Sequence, residues 1–291
     1  MISVDWGTTS LRAYRFDAAG GVVEKRHAAR GILTVPAGGF AHVLREEVGD
    51  WLAATDRVIL SGMVGSRQGW LEAPYCACPA GVDELLAKLI PLQWDGPPAW
   101  IAPCLTCRDA AGVPDVMRGE ETQLLGAMAQ LGGGEYSVCL PGTHSKWARC
   151  TANRVQHFAS YMTGEVYAVL RSHSILARSI DADDGGDAVW FDRGVARAAE
   201  AGGLLHHVFG LRASELFGDL QRESTAAYLS GMCIGHELLA AAPRGETIYL
   251  VGGAELAAWY ERALGQLGRP CRVLDADLVV AGHRVLAGAL T

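Results

Sequence analysis

The sequence predicts an α/β protein built from two related halves. A short turn occurs twice, as Asp5-Trp-Gly-Thr-Thr-Ser10 and as Leu140-Pro-Gly-Thr-His-Ser145, and the two copies lie 135 residues apart. Each copy follows a short apolar run and precedes two strand-like runs that are separated by a turn. Both halves therefore begin with a strand, a tight Gly-Thr turn, a strand, a turn and a strand.

Helices and further strands follow the first copy of this pattern. An amphipathic helix is predicted from apolar residues at Phe40, Val43, Leu44, Val48 and Leu52. The next elements are a strand at 57–61, a helix at 83–90 and a strand-like run around residue 100. A helical pattern at 120–131 then ends at three consecutive glycines, so we place a domain boundary near Arg118, between 1–118 and 119–291.

The second half carries more helix than the first. Its predicted elements are helices at 163–172, 188–201, 224–241, 255–267 and 278–290, and strands at 247–251 and 272–274. Gly252 and Gly253 lie between one of these strands and the helix that follows it.

The composition excludes several classes of protein. The chain has 291 residues, of which 50% are hydrophobic, and this is enough for two domains with separate cores. Its net charge is -7, and no Lys/Arg cluster interleaves with aromatic residues, so we expect no nucleic-acid partner. No apolar run approaches the ~18 residues of a membrane helix, and the chain starts with a strand instead of a signal segment. We therefore expect a cytoplasmic protein without a membrane partner.

The eight cysteines are too few for a disulfide scaffold in a chain of this length. Four of them have spacings that zinc sites use, Cys76-x-Cys78 and Cys104-x-x-Cys107, but no ordered His pair accompanies them. Metal binding by these four thiols stays open, while the other cysteines lie in apolar runs typical of a core.

The repeated turn has the chemistry of a phosphate-binding loop. Glycine lets the backbone approach a phosphate closely, and main-chain N–H groups and small hydroxyls act as donors. In this interpretation Gly7, Thr8 and Thr9 form one phosphate loop, and Gly142 and Thr143 form the other. A plain hairpin loop is the alternative for either turn alone, and the matched recurrence favours the phosphate loops.

Three loops in order resemble the actin, hexokinase and heat-shock-ATPase superfamily. They are the two Gly-Thr turns, as phosphate loops, and Gly252-Gly253, as the adenosine loop. Four segments are similar to the 2-dehydro-3-deoxygalactonokinase family, namely Ser61-Gly-Met-x-Gly-Ser-Arg-Gln-Gly-Trp70, Arg118-Gly-Glu-Glu-Thr-Gln123, Leu140-Pro-Gly-Thr-His-Ser-Lys-Trp147 and Met162-Thr-Gly-Glu165. The resemblance covers essentially the whole chain.

The resemblance implies a two-domain actin-like ATPase fold of the ribonuclease H type. It comprises duplicated β-β-β-α-β-α units with a nucleotide cleft between the domains. Residues 1–118 would hold the sugar acid and the first phosphate loop, and residues 119–291 would bind the nucleotide. The implied activity is ATP-dependent phosphorylation of 2-dehydro-3-deoxy-D-galactonate to its 6-phosphate in galactonate catabolism, with Mg²⁺ as the metal.

Phosphoryl transfer requires a divalent ion and a base near the attacking hydroxyl. Asp5 is the candidate to hold Mg²⁺ through water, with a turn-capping carboxylate as the alternative. In the related branch that includes glycerol kinase, a Gly-Asp-x-Gln segment at a helix start supplies the base. Here Gly119-Glu-Glu-Thr-Gln123 takes that place, so Glu120 is the first candidate and Glu121 the second. Acidic residues in the first turn of a helix are also favoured by its dipole.

A sugar acid with a carboxylate needs a cation in its site. Arg67 is the best-placed candidate because a guanidinium pairs with a carboxylate in a fixed fork; an exposed loop arginine without a ligand is the alternative. The other candidate substrate contacts are Ser61, Ser66, Gln68, Thr163 and Glu165. Glu165 also fits a helix N-terminal carboxylate.

Lys146 is the third catalytic candidate, because it could neutralise the charge that develops on the transferred phosphoryl group. The nucleotide site has three further candidates, of which His144 belongs to the second phosphate loop. Gly252 and Gly253 would let a base or ribose lie against the backbone.

Two other functions remain open on the sequence alone. One is a kinase of another sugar or sugar acid, since a few loop side chains set specificity. The other is a nucleotide-dependent sensor or filament protein without sugar phosphorylation. The polar, Gly-rich segment 61–70 favours a small-molecule site over an interaction patch. The sequence does not reveal the oligomeric state, and a homodimer is one option.

Overall fold

A computed structural model of the chain describes residues 1–180, 186–274 and 277–290. The strands are β1 (Ile2–Trp6), β2 (Leu11–Phe16), β3 (Val22–Ala28), β4 (Val58–Ser61), β5 (Tyr75–Ala77), β6 (Ile90–Pro91), β7 (Ala99–Ile101), β8 (Cys104–Arg108), β9 (Pro114–Met117), β10 (Glu135–Leu140), β11 (Ser145–Thr151), β12 (Arg154–Tyr161), β13 (Ile248–Leu250) and β14 (Cys271–Val273). The helices are α1 (Phe40–Leu52), α2 (Val82–Leu86), α3 (Glu120–Leu131), α4 (Thr163–His173), α5 (Ala188–Ala198), α6 (Gly203–Leu216), α7 (Thr225–Ala241), α8 (Ala254–Gln266) and α9 (Leu278–Gly288).

The first sheet has the strand order β3-β2-β1-β4-β7-β6. Its inner strand β1 is buried on both faces apart from the half-buried Asp5, and it pairs antiparallel with β2 and parallel with β4. Asp5 lies opposite Arg12 on one side and opposite Ser61 on the other. The carboxyl ends of β1 and β4 therefore lie side by side, followed by the first Gly-Thr turn and by the segment 61–70.

The second sheet has the order β12-β11-β10-β13-β14. The two sheets share one plan, because in each the first strand of the half lies between its second strand and a later parallel strand. Each half also places a helix between its third and fourth strands. The predicted α/β fold with duplicated β-β-β-α-β-α units is confirmed. A smaller sheet, β5-β8-β9, accompanies the first half.

Contacts divide the chain into two compact units. The first comprises Met1–Glu135, Arg149–Phe158 and residues 277–290, and the second comprises Tyr136–Ala148 and Ala159–Leu274. Helix α3 thus belongs to the first unit by its contacts. The sequence analysis assigned residues 1–118 to the sugar acid and the first phosphate loop, and residues 119–291 to the nucleotide. This division concerns ligand binding, and it stays a prediction.

Each unit has its own apolar core. In the first unit, side chains of β1, α1 and β4 pack together, including Trp6, Leu44 and Leu60. In the second unit, α5, α7 and α8 pack against β10 and β13 around residues such as Phe191 and Tyr260. Burial of this kind contributes about 25 cal/mol per Å² of apolar surface and accounts for most of the stability of such units.

Glycines permit very close helix packing in the first unit. A Cβ built at Gly282 of α9 would lie 1.9 Å from Thr122 O of α3, and one built at Gly126 of α3 would lie 2.0 Å from Leu278 O of α9. The two helices are therefore in backbone contact.

Several predicted elements differ from the structure. Helix 83–90 is shorter, at Val82–Leu86, and helix 188–201 ends at Ala198. The β8-β9 hairpin and α6 were not predicted. Helix α6 lacks separate polar and apolar faces because Leu205 and Phe209 are exposed, so its sequence has no amphipathic period.

Among the described residues, no helix combines the length and the apolar character that crossing a membrane would require.

Candidate active site

The metal candidate Asp5 lies at the end of β1. Its Oδ2 accepts a hydrogen bond from Arg12 Nη2 at 2.5 Å. Burial raises the pKa of Asp5 above its ordinary value, and the charge of Arg12 opposes this shift. No hydrogen bond to Asp5 Oδ1 is found among residues 1–180, 186–274 and 277–290, so this oxygen could face a hydrated cation.

No group of three or more His, Cys, Asp or Glu side chains that could hold a metal ion occurs in the part of the chain that the structure describes. A single carboxylate nevertheless fits Mg²⁺, which keeps several waters and takes its other ligands from nucleotide phosphates.

Two glycines bring the start of α3 against the ends of β1 and β4. Gly62 has φ 92° and Gly119 has φ 102°, both in the region that favours glycine. A Cβ built at Gly62 would lie 2.8 Å from Trp6 O and 3.2 Å from Asp5 Oδ1, and one at Gly119 would lie 3.2 Å from Gly62 Cα. The metal candidate and the helix start that carries the base candidates therefore both border Gly62.

The two glutamates at the start of α3 have different environments. Glu120 is half-buried, and its Oε2 accepts a hydrogen bond from Arg118 N at 3.0 Å. Glu121 is 1% exposed, and its Oε2 accepts from Gly119 N at 2.6 Å. Its Oε1 has no hydrogen-bond partner among the described residues. Burial and the neighbouring charge of Glu120 raise the pKa of Glu121 to about 8.

This pKa predicts a pH-dependent contribution of Glu121 to stability. The folded state binds the proton more tightly than the unfolded state, so the stabilisation is complete below pH 4.5 and is lost as the pH rises towards 8. The loss approaches about 1.4 kcal/mol per pH unit within this window. We expect the free energy of unfolding of Glu121→Gln, measured with urea, to rise relative to wild type between pH 5 and pH 8. Equal pH slopes for the two proteins would contradict the raised pKa.

The first Gly-Thr turn is closed by a hydrogen bond from Gly7 N to Ser10 O at 2.9 Å. Thr8 and Thr9 are exposed, so their hydroxyls are accessible to a ligand. A Cβ at Gly7 would meet only Ser10 O, at 3.5 Å, and the turn itself thus has room for a side chain.

The segment 61–70 carries four of the predicted sugar-acid contacts, and the structure places them in different environments. Ser61 is fully buried, with its Oγ 3.4 Å from Thr122 Oγ1. Ser66 Oγ is buried and has no hydrogen-bond partner in the described part of the chain, whereas Gln68 is exposed. The Arg67 side chain is 87% exposed, and its Nε donates to Glu72 Oε1 at 2.9 Å. The structure therefore presents Arg67 and Gln68 to solvent and holds both serines inside.

The end of this segment is tightly packed. Trp70 stacks on Phe40 at a centroid distance of 6.2 Å and meets Trp94 edge-on at 5.9 Å. A Cβ at Gly69 would lie 2.1 Å from Val64 O. The loop that carries Arg67 is thus anchored to the core at its C-terminal side.

The second Gly-Thr turn is supported by the start of α4. Glu165 N donates to Thr143 O at 3.0 Å, and the Glu165 carboxylate pairs with His144 Nε2. Lys146 is buried on β11, and its Nζ donates to His144 O at 3.0 Å. A Cβ at Gly142 would have no atom of the described residues within 4 Å. The turn is held through its backbone, and the face around Gly142 is open.

The third loop lies between β13 and α8. Gly252 and Gly253 follow the strand, and α8 begins at Ala254. Within residues 1–180, 186–274 and 277–290, a Cβ at Gly253 would meet no atom within 4 Å. Its backbone is accessible, as a nucleotide contact would require.

The model of the 2-keto-3-deoxy-galactonokinase family matches residues 5–285. The chain belongs to this family. A probable 2-dehydro-3-deoxygalactonokinase of Rhizobium meliloti (strain 1021) is 38% identical over 99% of this chain and 96% of its own length. The 2-dehydro-3-deoxygalactonokinase of Escherichia coli (strain K12) is 34% identical over 99% of this chain and 98% of its own length.

A crystal structure supports the same family. A Sinorhizobium meliloti protein provisionally named a 2-dehydro-3-deoxygalactonokinase superposes on this chain with a TM-score of 0.91 and 37% identity. The match covers 99% of this chain and 98% of that protein. The fold of the described residues is thus that of the 2-keto-3-deoxy-galactonokinase family.

The eight cysteines of the chain are free thiols. Cys76 Sγ donates to Glu84 O at 3.3 Å and Cys107 Sγ donates to Phe158 O at 3.1 Å. Burial raises the pKa of Cys78 to about 12. These thiols are engaged in packing and hydrogen bonding within the first unit.

Two side chains beside the predicted site residues were given no role on the basis of the sequence. Arg118 donates from Nη1 to Gly65 O and from Nη2 to Tyr75 OH at 3.0 Å, which fixes the start of the segment after β4. Glu237 is buried in α7 and accepts hydrogen bonds from residues that flank the second turn. Glu237 is the single acidic residue of α7, and this was the signal available for it. Arg118 belongs to the family-like segment 118–123, but no role was assigned to its side chain.

Proposed function

We propose that this chain transfers the terminal phosphoryl group of ATP to the terminal hydroxyl of 2-dehydro-3-deoxy-D-galactonate, which yields the 6-phosphate and ADP in galactonate catabolism. The observation that carries the proposal is the family match over residues 5–285, together with relatives of that name at 34% and 38% identity. Because ATP is the donor, we propose the cytoplasm as the compartment.

In the first unit, we assign the metal and the base. Asp5 would hold Mg²⁺ through water, and the ion would neutralise charge on the phosphate oxygens when bound. Thr8, Thr9 and the N–H of Gly7 would donate to phosphate oxygens. Glu120 would take the proton from the attacking hydroxyl of the sugar acid. The oxygen of this hydroxyl would bond to the terminal phosphorus of ATP, and the bond between that phosphorus and the ADP oxygen would break.

In the second unit, we assign nucleotide contacts. Gly142, Thr143 and His144 would bind phosphate oxygens, and Gly252 and Gly253 would lie against the ribose or base. Lys146 would contribute positive charge near the turn, where the backbone of His144 holds its ammonium group.

The carboxylate of the sugar acid is assigned to Arg67. Its present partner Glu72 is an exposed carboxylate, and exposed ion pairs contribute only about 0–1 kcal/mol, so a substrate carboxylate can replace it. The remaining substrate contacts that we propose are Ser61, Ser66, Gln68, Thr163 and Glu165. Among these, Gln68 is the most accessible, since both serines are buried.

A coupled ADP-release assay tests the activity. The acceptors are 2-keto-3-deoxy sugar acids, plain aldonates and hexoses, and turnover is expected with the 2-keto-3-deoxy acids. Hexose turnover without keto-acid turnover would replace this proposal by a kinase of another sugar. ATP binding without turnover of any acceptor would favour the sensor or filament protein.

The open face of the second turn gives a test of nucleotide contact. In Gly142→Ala the new Cβ meets no protein atom, so the variant should fold as wild type. If a phosphate packs there, the methyl group should raise the KM for ATP about tenfold, given the ~1–3 kcal/mol typical of overpacking. Steady-state kinetics would measure this, with the KM for the sugar acid unchanged.

The matched control is Gly265→Ala in α8, whose Cβ is equally free of contacts. It should leave both KM values unchanged. A wild-type KM for ATP in Gly142→Ala would remove this turn from the nucleotide site.

A further inference from the structure

Glu237 is a buried carboxylate that no step of the proposed reaction uses. It lies in the apolar helix α7 and is 3% exposed. A buried carboxylate is costly to the fold unless its oxygens are hydrogen-bonded. Its partners therefore indicate what it does.

Neutral donors satisfy both oxygens of Glu237. Trp147 Nε1 donates to Oε1 at 2.8 Å, and Tyr260 OH donates to Oε2 at 2.8 Å. The Thr163 side chain lies beside the carboxylate, where it opposes the rise in the pKa of Glu237 that burial causes. Because the single hydroxyl proton of Tyr260 points to Glu237, Ser145 Oγ is the donor in its 2.9 Å hydrogen bond to Tyr260 OH.

These donors lie next to the second Gly-Thr turn. Ser145 and Trp147 are the first and third residues of β11, directly after the turn, and alternation along a strand points both towards α7 and α8. Lys146 lies between them, so fixing its two neighbours fixes the strand that carries it. The carboxylate thus holds the C-terminal side of the turn.

Thr163 connects the same carboxylate to the other support of the turn. It is the first residue of α4, and the next residues contact the turn directly. Glu165 N donates to Thr143 O at 3.0 Å, and a Cβ at Gly164 would lie 2.6 Å from Gly142 O. The start of α4 and the start of β11 are therefore tied to one carboxylate.

We propose that Glu237 is a positioning residue that holds the second Gly-Thr turn in its nucleotide-binding geometry, through Ser145 and Tyr260, Trp147 and Thr163. The inference rests on the proposed function, because it takes this turn to be a phosphate loop. An acid is required because every partner is a donor, and an amide would turn its NH₂ group towards one of them.

Glu237→Gln tests the proposal, since it keeps the side-chain volume and removes one acceptor. We expect the Kd for ATP, measured by calorimetry without sugar acid, to rise about tenfold. In turnover assays we expect a higher KM for ATP and a lower kcat. A purely structural role would lower the melting temperature and leave the Kd for ATP at its wild-type value, and this result would overturn the proposal.

Glu246→Gln is the matched control. Glu246 accepts from Ser137 Oγ at 2.7 Å at the start of β10, the opposite end of that strand from the turn. It should leave the Kd for ATP unchanged. An equal effect of Glu246→Gln would overturn the proposal.

Tyr260→Phe tests the positioning role of Glu237 if Glu237→Gln fails to fold. It removes the connection to Ser145 and keeps the ring in the core. We expect a smaller rise in the Kd for ATP in the same direction; an unchanged Kd would overturn the proposal. Because nucleotide binding is measured directly, wild-type protein that binds ATP but does not phosphorylate the sugar acid would contradict the proposed function alone.

Discussion

Replacing Glu120 by Gln is expected to lower kcat about 100- to 10,000-fold, the range typical of a lost general base, with little change in the KM for ATP. The amide cannot take the proton of the attacking hydroxyl, but it keeps the volume of the carboxylate and can still accept a hydrogen bond from Arg118 N. Steady-state kinetics of ADP release with the best sugar acid would measure the effect.

The environments of the two glutamates favour Glu120 as the base. Glu121 has a pKa of about 8 and is therefore protonated at neutral pH, and it is nearly inaccessible. Glu120 is half-buried at the first residue of α3, next to the Gly62 and Gly119 contact that borders Asp5. A base must be both deprotonated and within reach of the hydroxyl.

Glu121→Gln is the matched control for this experiment. It should keep kcat within a few-fold of wild type while changing the pH dependence of stability. If Glu121→Gln lost activity and Glu120→Gln kept it, the base would be Glu121. Near wild-type turnover in both variants would remove α3 from the chemistry.

Gly282→Ala is expected to destabilise the first unit strongly. The added Cβ would lie 1.9 Å from Thr122 O, and both atoms belong to helices in backbone contact, so neither can move alone. Overpacking typically costs about 1–3 kcal/mol, and backbone overlap places this variant at or above the upper end. Urea unfolding monitored by circular dichroism would measure the loss.

Gly288→Ala in the same helix controls for the change in helix propensity. Its Cβ would meet no protein atom within 4 Å, so the substitution should be neutral or stabilise by up to about 1 kcal/mol. Equal stabilities of the two variants would show that α3 and α9 are not in backbone contact in solution.

The repeated turn predicted that each half begins with three strands, and the family resemblance supplied the rest of the duplicated unit. A Gly-Thr turn between two strands forces antiparallel neighbours, and the same local pattern at two places produces the same order of strands. Family resemblance then supplied the candidate residues, since short polar loops around glycines carry most of the chemistry. The sequence-based interpretation was strongest where structure and function depend on contiguous residues.

Features that depend on partners distant in sequence were not predictable. Glu237 meets Trp147 and Tyr260, and nothing local in α7 indicates those donors. The inward position of Ser66 and the partial burial of Glu120 depend on packing of separate segments. Helix α6 was not predicted because its exposed apolar residues obscure the helical period of its sequence.

The anchoring of Trp70 has a consequence for the thermodynamics of ligand binding. With Trp70 packed between Phe40 and Trp94 and Gly69 pressed against Val64 O, the segment that presents Arg67 loses its conformational entropy when the protein folds. A ligand that binds there would lose less affinity to ordering the loop than it would with a loop that is free at both ends. Specificity for the proposed sugar acid can then depend on a few side chains of this loop, such as Arg67 and Gln68.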